Sequence, residues 1–319
     1  MDALIESLKA EPALAWKLAV NVQGRTPNSA AAKKAARTVK DSELVHDLLS
    51  WRRPDGRSRF KPYTKWYGSH WILSLLADLG YPAGDESLRP MMDQTFEEWL
   101  SEFHLRNYVR MINGRVRRCA SQEGNAIWSS LRLGLADERT AELVERLIKW
   151  QWPDGGWNCD KHPEAINSSF MESLIPLRAL ALYANTTGER RVWLVTERAA
   201  DIFLKRELFR RQGKKTLMDP HFVKLHYPCY WHYDILFGLK VMAEAGFIGD
   251  PRCKAALDLL ESKRLPDGGF PAEETYSRLT RPELSNYSPV SWGGISTRRM
   301  NPFVTADALY VLRAAGRLQ

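Results

Sequence analysis

Two kinds of helical pattern alternate along the chain. Some stretches are apolar or aromatic on almost every side, which predicts helices that neighbours cover from several directions. These stretches are residues 66–79, 124–133, 169–183, 230–245 and 303–315. Between them, apolar residues recur at intervals of three and four, as in Met91, Met92, Phe96 and Trp99, which predicts amphipathic helices. The alternation predicts pairs of helices in which one member is deeply covered.

A glycine ends each apolar stretch, and these glycines recur with a period. They stand at positions 80, 134, 188, 246 and 316, separated by 54, 54, 58 and 70 residues. Such spacing is typical of αα-hairpin repeats. No alternating run of β-branched residues lies between turn signals, so the predicted fold class is all-α.

The hairpins are expected to form an αα-toroid, either a closed or an incomplete ring, with the apolar helices inside. Residues 1–40 would be a short N-terminal helical extension, and residues 41–319 the toroid domain. An open solenoid has the same periodicity, but helices that are apolar all round favour the ring.

Residues 151–160 contain the most distinctive motif, Gln-Trp-Pro-Asp-Gly-Gly-Trp-Asn-Cys-Asp. Gln151, Gly155 and Trp157 match Gln-x-x-x-Gly-x-Trp, the QW motif, and Pro-Asp-Gly turns recur elsewhere in the chain. These features resemble the terpenoid cyclase and protein prenyltransferase superfamily of αα-toroids, in particular bacterial squalene-cyclase-like and prenyltransferase-repeat proteins. The resemblance implies that Gln151 and Trp157 tie the end of an outer helix to the following turn.

The catalytic motifs of that superfamily are matched only in part. Its cyclases protonate an alkene or epoxide with an acid in an Asp-x-Asp-Asp-Thr-Ala type motif. Thr305 fits this pattern, whereas Phe303 and Val304 occupy the acid positions. Its protein prenyltransferases hold zinc through Asp, Cys and His, and residues 226–234 contain these types in another order. The resemblance therefore implies an apolar, isoprenoid-like substrate with some other carboxylate as the acid.

Composition narrows the class of protein. With 44% hydrophobic residues, the 319-residue chain can bury a large core. The lack of a long apolar run and of a signal-peptide pattern predicts a cytoplasmic protein without a transmembrane segment.

The four cysteines lie far apart, so reduced thiols are expected. The net charge of +8 is scattered and not interleaved with exposed aromatics, which argues against a nucleic-acid partner. The oligomeric state is left open.

Polar residues gather where the apolar helices are predicted to begin, and a ring would direct them into one cavity. Glu123 lies beside such a start, where it either caps the helix or acts as an acid with a pKa raised by apolar surroundings. Glu172 either forms a capping box with Ser169 or acts as an acid. The predicted catalytic residues are Glu123, Glu172, Asp234, His232 and Asp160.

Aromatic residues are dense at residues 227–234, where they either pack in the core or stabilise cations by ~0.5–2 kcal/mol each. The predicted substrate-binding residues are Trp66, His70, Asn125, Trp128, Tyr230, Trp231 and Trp292. Cys159 and His162, with Cys229 from a later segment, could hold a divalent metal ion. A buried thiol and solvated loop charges explain the same residues without a metal.

Three functions are compatible with these features. The first is an enzyme that acts on a small apolar or diphosphate substrate in a central aromatic-lined cavity, by acid/base or carbocation chemistry. The second is a helical-repeat protein that binds a ligand or partner without reaction. The third is a carbohydrate-active αα-toroid, which requires two carboxylates ~5–10 Å apart. A divalent metal is the one cofactor that the residues suggest.

Overall fold

The computed structural model describes residues 2–280 and 285–318, and this part of the chain is mainly helical. Helices make up 53% of the residues and strands 4%, which confirms the all-α class. The α-helices are α1 (Asp2–Leu8), α2 (Pro12–Lys17), α3 (Ala30–Lys40), α4 (Glu43–Leu49), α5 (Ser69–Leu79), α6 (Arg89–Leu100), α7 (Glu102–Tyr108), α8 (Ser121–Arg132), α9 (Glu138–Trp150), α10 (Phe170–Thr187), α11 (Arg190–Leu204), α12 (Ile235–Glu244), α13 (Lys254–Glu261) and α14 (Pro302–Ala314). The short elements are a π-helix at Leu18–Val22 and 3₁₀ turns at Glu86–Leu88, Pro220–Val223 and Pro251–Cys253.

A small β-hairpin, which the sequence interpretation missed, follows α7. Strand β1 (Arg110–Ile112) pairs antiparallel with β2 (Arg115–Arg117), and Met111 lies opposite Val116. The connecting residues, Asn113 and Gly114, have φ of 48° and 69°. Positive φ at both central positions is the geometry that an Asn-Gly dipeptide favours in a two-residue hairpin, so the signal was present in the sequence.

The glycine-terminated helices are present, but several of them begin or end elsewhere than predicted. Helices α5 and α10 end at left-handed glycines, Gly80 and Gly188. Helix α12 begins at Ile235 instead of residue 230, because the Asp234 side chain caps it by accepting from the Phe237 amide. Residues 230–234 therefore form a loop. The amphipathic stretch that contains Met91 and Trp99 forms α6, and Ser101 directly after it caps α7.

The apolar helices contact one another in chain order. Helix α5 packs on α8, α8 on α10, α10 on α12, and α12 on α14. Each of the first four also contacts the amphipathic helix that follows it, respectively α6, α9, α11 and α13. Helix α2 contacts both α14 and α5, so the N-terminal segment lies between the first and last apolar helices. Within the described residues, no helix is both long and apolar enough to cross a membrane.

Charged side chains from these helices meet in a buried ion network. Asp78 of α5 accepts from Lys17 of α2 at 2.6 Å and from Lys240 of α12 at 2.7 Å. Asp307 of α14 binds the same two lysines at 3.0 and 2.9 Å, and Arg178 of α10 reaches Asp78 at 3.2 Å. The network links α2, α5, α10, α12 and α14 through ion pairs that are largely removed from water.

Candidate functional site

The turn after α9 is fixed by its glutamine and its second tryptophan. Gln151 donates from Nε2 to the carbonyl oxygens of Gly155 at 2.7 Å and of Val195 in α11 at 2.9 Å. The buried Trp157 donates from Nε1 to the Leu147 carbonyl of α9 at 2.9 Å. These bonds join the end of α9 to the turn and to the next outer helix, so the backbone that follows Trp157 has a defined position.

The β-hairpin docks on this turn. Trp152 donates from Nε1 to the Val116 carbonyl at 2.7 Å, and the Arg117 guanidinium lies 4.4 Å from the centroid of the Trp152 ring. One residue later, the Arg118 amide donates to the Asn158 carbonyl at 3.1 Å. This pairing aligns the segment after β2 with the turn after α9, although the two are far apart in sequence. The residues that follow Arg118 and Asn158 therefore lie close together.

Cys119 and Cys159 meet there, beside Glu172 in the first turn of α10. The two Sγ atoms and a carboxylate oxygen all lie within 4.8 Å of one another. Glu172 Oε2 accepts from the Ser121 amide at 3.1 Å, while Oε1 lies 3.7 Å from Cys159 Sγ. The predicted capping box is therefore only half formed: Ser169 accepts from the Glu172 amide, but the Glu172 carboxylate turns to α8.

The surroundings of this cluster favour the neutral forms of Glu172 and Cys119 when no cation is present. Burial raises the pKa of Glu172. A hydrogen bond with Cys159, together with burial, raises the pKa of the Cys119 thiol. Burial also raises the pKa of Tyr63, and the charges of Glu172 and Cys119 add to that effect. A positive ion at the cluster would offset the repulsion between the negative charges of its members. It would therefore favour the ionised forms of the ligands.

Glu123, the first of the predicted acids, is completely buried in the first turn of α8. Its Oε1 accepts from Arg118 Nε at 2.8 Å, so it is held as part of an ion pair. Glu123 Oε2 and the Gln122 side-chain oxygen are buried without a hydrogen-bond partner in the described part of the chain. These two oxygens are acceptors that a bound molecule could satisfy.

His70 and Asn125, two of the predicted substrate-binding residues, also lie together. Asn125 Nδ2 is 3.4 Å from His70 Nε2, and His70 packs against the Trp71 and Trp99 rings. Burial, and to a lesser extent Arg118, lowers the pKa of His70 to about 3. The imidazole is therefore neutral at neutral pH.

A small space lies between the apolar helices. It has a volume of about 40 Å³. Its aromatic wall consists of Trp71, Trp128, Tyr227, Tyr230 and Phe237. Asn125, Cys229 and the ion network complete the lining, and the Arg178 guanidinium covers the Trp128 ring at 3.6 Å. The space has room for a few water molecules, which is much smaller than the predicted substrate cavity.

The other predicted aromatic residues form stacks instead of lining this space. Trp66 stacks on Tyr230 with ring centroids 3.9 Å apart. Trp231 stacks on His232 at 4.0 Å, and burial lowers the pKa of His232 to about 3. Trp292 packs separately against Tyr227 and Phe303, and it donates to Ser288.

The remaining predicted site residues have other partners. Asp234 caps α12 and forms an ion pair with His226 at 2.8 Å. Asp160 and His162 are exposed, and Asp160 accepts from the His162 amide in a turn. Cys229 lines the central space.

The predicted set of metal ligands was therefore wrong in the residues that it grouped with Cys159. Cys159, His162 and Cys229 do not come together, and Cys119 and Glu172 are the groups beside Cys159. Cys119 was missed because the hairpin that ends two residues before it was missed.

No protein-family model matches the chain, and the comparison with curated proteins gives no match. Among solved structures, a protein from Actinoplanes is similar at 18% sequence identity, over 95% of this chain and 89% of that one, with a TM-score of 0.43.

Proposed function

We propose that the protein is an enzyme whose reactive centre is a divalent transition-metal ion, Zn²⁺ in the first instance, held by Cys119, Cys159 and Glu172. The observation that carries the proposal is the convergence of three ligand atoms within 4.8 Å from three separate segments. Thiolate and carboxylate are both established zinc ligands, and thiolates exclude hard ions such as Mg²⁺.

The carboxylate is already oriented for this role. The Ser121 amide occupies Glu172 Oε2, which leaves Oε1 directed toward Cys159. A hydrogen bond of this kind to the outer oxygen fixes the geometry of a ligand and tunes the ion. Both cysteines are half-buried, whereas Glu172 is buried, so an ion could reach the thiols from solvent.

Three protein ligands leave one tetrahedral position for water or substrate, which is the arrangement of catalytic zinc sites. There the ion would act as a Lewis acid and lower the pKa of its bound water to about 7. Buried acceptors of Glu123 and Gln122 lie on the turn of α8 that follows Cys119, where they could orient a bound molecule. This chemistry suits metal-assisted acid/base catalysis.

Cobalt binding tests the ligand set directly. Addition of Co²⁺ to reduced wild-type protein is expected to produce the intense thiolate-to-cobalt charge-transfer absorption. Cys159→Ser is expected to weaken Co²⁺ binding by about 100-fold. Losing a ligand should cost at least as much affinity as losing a group that only orients a ligand. Glu172→Gln should weaken binding while retaining the thiolate absorption.

The matched control for this titration is Cys229→Ser, which removes a half-buried thiol that lines a different space. It is expected to bind Co²⁺ as the wild type does. Wild-type protein that binds no Co²⁺, or a Cys229→Ser variant that loses binding while Cys159→Ser keeps it, would contradict the proposed centre.

Zinc binding is also expected to release protons. The raised pKa values of Cys119 and Glu172 mean that both are protonated over a wider pH range than ordinary thiols and carboxyls. Binding requires the thiolates of Cys119 and Cys159 and the carboxylate of Glu172. At least two protons, one from each thiol, should therefore leave per zinc, and affinity should rise with pH through neutrality. Calorimetry in buffers of different ionisation enthalpy measures this number. A pH-independent affinity would argue against thiolate ligation.

A second candidate is the isoprenoid enzyme of an αα-toroid. The ordered contacts from α5 to α14, with α2 between the last and the first, support a ring. The aromatic wall of the central space favours an apolar or cationic guest. Because about 40 Å³ cannot hold an isoprenoid, binding must displace residues 226–234. Calorimetry with farnesyl diphosphate, combined with faster amide exchange in that segment, tests this candidate. Absence of binding would exclude it.

A further inference from the structure

A second and larger cavity lies on the other side of the ion network. Its volume is about 240 Å³. Asp78, Trp128, Arg178 and Lys240 line both this cavity and the central space, so these side chains separate the two. Trp16, Val20, Asn21 and Pro27 of the N-terminal segment line it from the opposite side. The site is therefore distinct from the cysteine cluster.

Several donors around this cavity contact no acceptor among the described protein residues. Arg132, at the end of α8, makes no ion pair or hydrogen bond with any residue that the structure describes, and its guanidinium lies 5.8 Å from the Trp16 ring centroid. The side chains of Asn21 and Tyr310 and the Trp16 indole N–H likewise have no hydrogen-bond partner within the described ranges. Neighbouring Arg178, by contrast, donates to Glu244 from Nε and Nη2 and to Asp78 from Nη2.

The charges around the cavity do not balance. Among the described residues, the cations that line the cavity or join the network behind it are Lys17, Arg132, Arg178 and Lys240. The carboxylates are Asp78, Glu244 and Asp307. One positive charge remains, and it belongs to Arg132, since the other three cations have carboxylate partners. The charges of Glu244 and Asp78 act on Arg132 from a distance, but neither carboxylate is bonded to it. A partly buried guanidinium in this position favours a ligand that brings a carboxylate into direct contact.

We propose that this cavity binds a small monocarboxylate with an apolar body. Its carboxylate would pair with the planar fork of Arg132 and accept from Asn21 and Tyr310. The apolar part would lie against Trp16, Trp128 and Leu182. A monoanion neutralises the single excess charge, whereas a phosphate dianion would leave a buried negative charge beside Asp78 and Glu244. The volume is slightly below the usual range for drug-sized ligands and suits a molecule about the size of benzoate.

Benzoate is the probe that tests the site. We expect it to bind wild-type protein by calorimetry and to raise the Tm, whereas uncharged benzamide should bind at least tenfold more weakly. Arg132→Gln should reduce benzoate affinity at least tenfold, and Arg132→Lys, which keeps the charge but loses the fork, should be intermediate. Arg190→Gln, at an exposed position, is the matched control and should bind as the wild type does.

A crystal soaked with bromobenzoate gives a readout that needs no variant. An anomalous bromine peak between Trp128 and Leu182, with the carboxylate at Arg132, is expected. Failure of benzoate to bind the wild type, unchanged affinity in Arg132→Gln, benzamide that binds as tightly as benzoate, or inorganic phosphate that binds more tightly would each overturn the proposal.

Discussion

Asp78→Asn is expected to lower the free energy of unfolding by about 3–5 kcal/mol, the usual effect of breaking a buried ion pair by removing one partner. The Asp78 carboxylate accepts from Lys17 and Tyr227 through Oδ2 and from Lys240 and Arg178 through Oδ1. An asparagine has one acceptor oxygen and no charge, so it leaves buried cations uncompensated. Urea denaturation, followed by tryptophan fluorescence, measures the loss.

Lowering the pH should reproduce part of this loss of stability in the wild type. Burial opposes ionisation of Asp78, but Lys17, Lys240 and Arg178 outweigh it and hold its pKa well below the usual value. A lowered folded-state pKa contributes stability above the unfolded pKa, near 3.9, and that stability is lost as the pH falls below it. Asp78→Asn should therefore show a shallower decline below pH 4 than the wild type.

The control is Asp55→Asn, which alters an exposed carboxylate in a turn and should leave stability near that of the wild type. If Asp78→Asn were as stable as this control, the ion network would not hold the apolar helices together.

Trp157→Ala is expected to lower the free energy of unfolding by a similar amount, about 3–5 kcal/mol, because it empties a large buried site. Trp157 is 1% exposed, its indole donates to Leu147, and its amide donates to the Ser173 hydroxyl of α10. Trp157 thus joins α9 through its side chain and α10 through its backbone, two residues before Cys159. Denaturant unfolding measures the change, and cobalt binding by the folded variant reports whether Cys159 remains in place.

Trp193→Ala provides the comparison for this variant. Trp193 is half-buried on α11, where it stacks on Phe247 with centroids 5.6 Å apart. We expect a loss of about 1 kcal/mol or less. Equal losses for the two tryptophans would mean that the turn after α9 has no special part in the fold.

The repeating helices could be read from the sequence because they depend on local signals. Apolar periodicity and terminal glycines located the apolar helices, including the one that ends at Gly188. Helix starts were less certain, because a capping side chain decides them. Asp234 begins α12 five residues later than the apolar pattern suggested. The N-terminal segment could not be placed, since the pairing of Lys17 with Asp307 joins residues 290 positions apart.

The candidate site depended on contacts between distant segments. Glu172 and Cys159 were recognised as reactive residue types, but Cys119 joins them only because β2 aligns with the turn after α9. The Asn113-Gly114 signal could have predicted the hairpin, although not its docking surface. Cys229 was grouped with Cys159 by residue type alone, and the fold places it in the central space.

The most direct test of the proposed metal centre is diffraction from crystals grown with Zn²⁺, recorded on both sides of the zinc absorption edge. We expect one strong anomalous peak bonded to Cys119 Sγ, Cys159 Sγ and Glu172 Oε1, at about 2.3 Å from each sulfur and 2.0–2.2 Å from the oxygen. A peak at Cys229 or His162 in place of this position, or zinc-saturated crystals with no peak among the three groups, would contradict the metal centre.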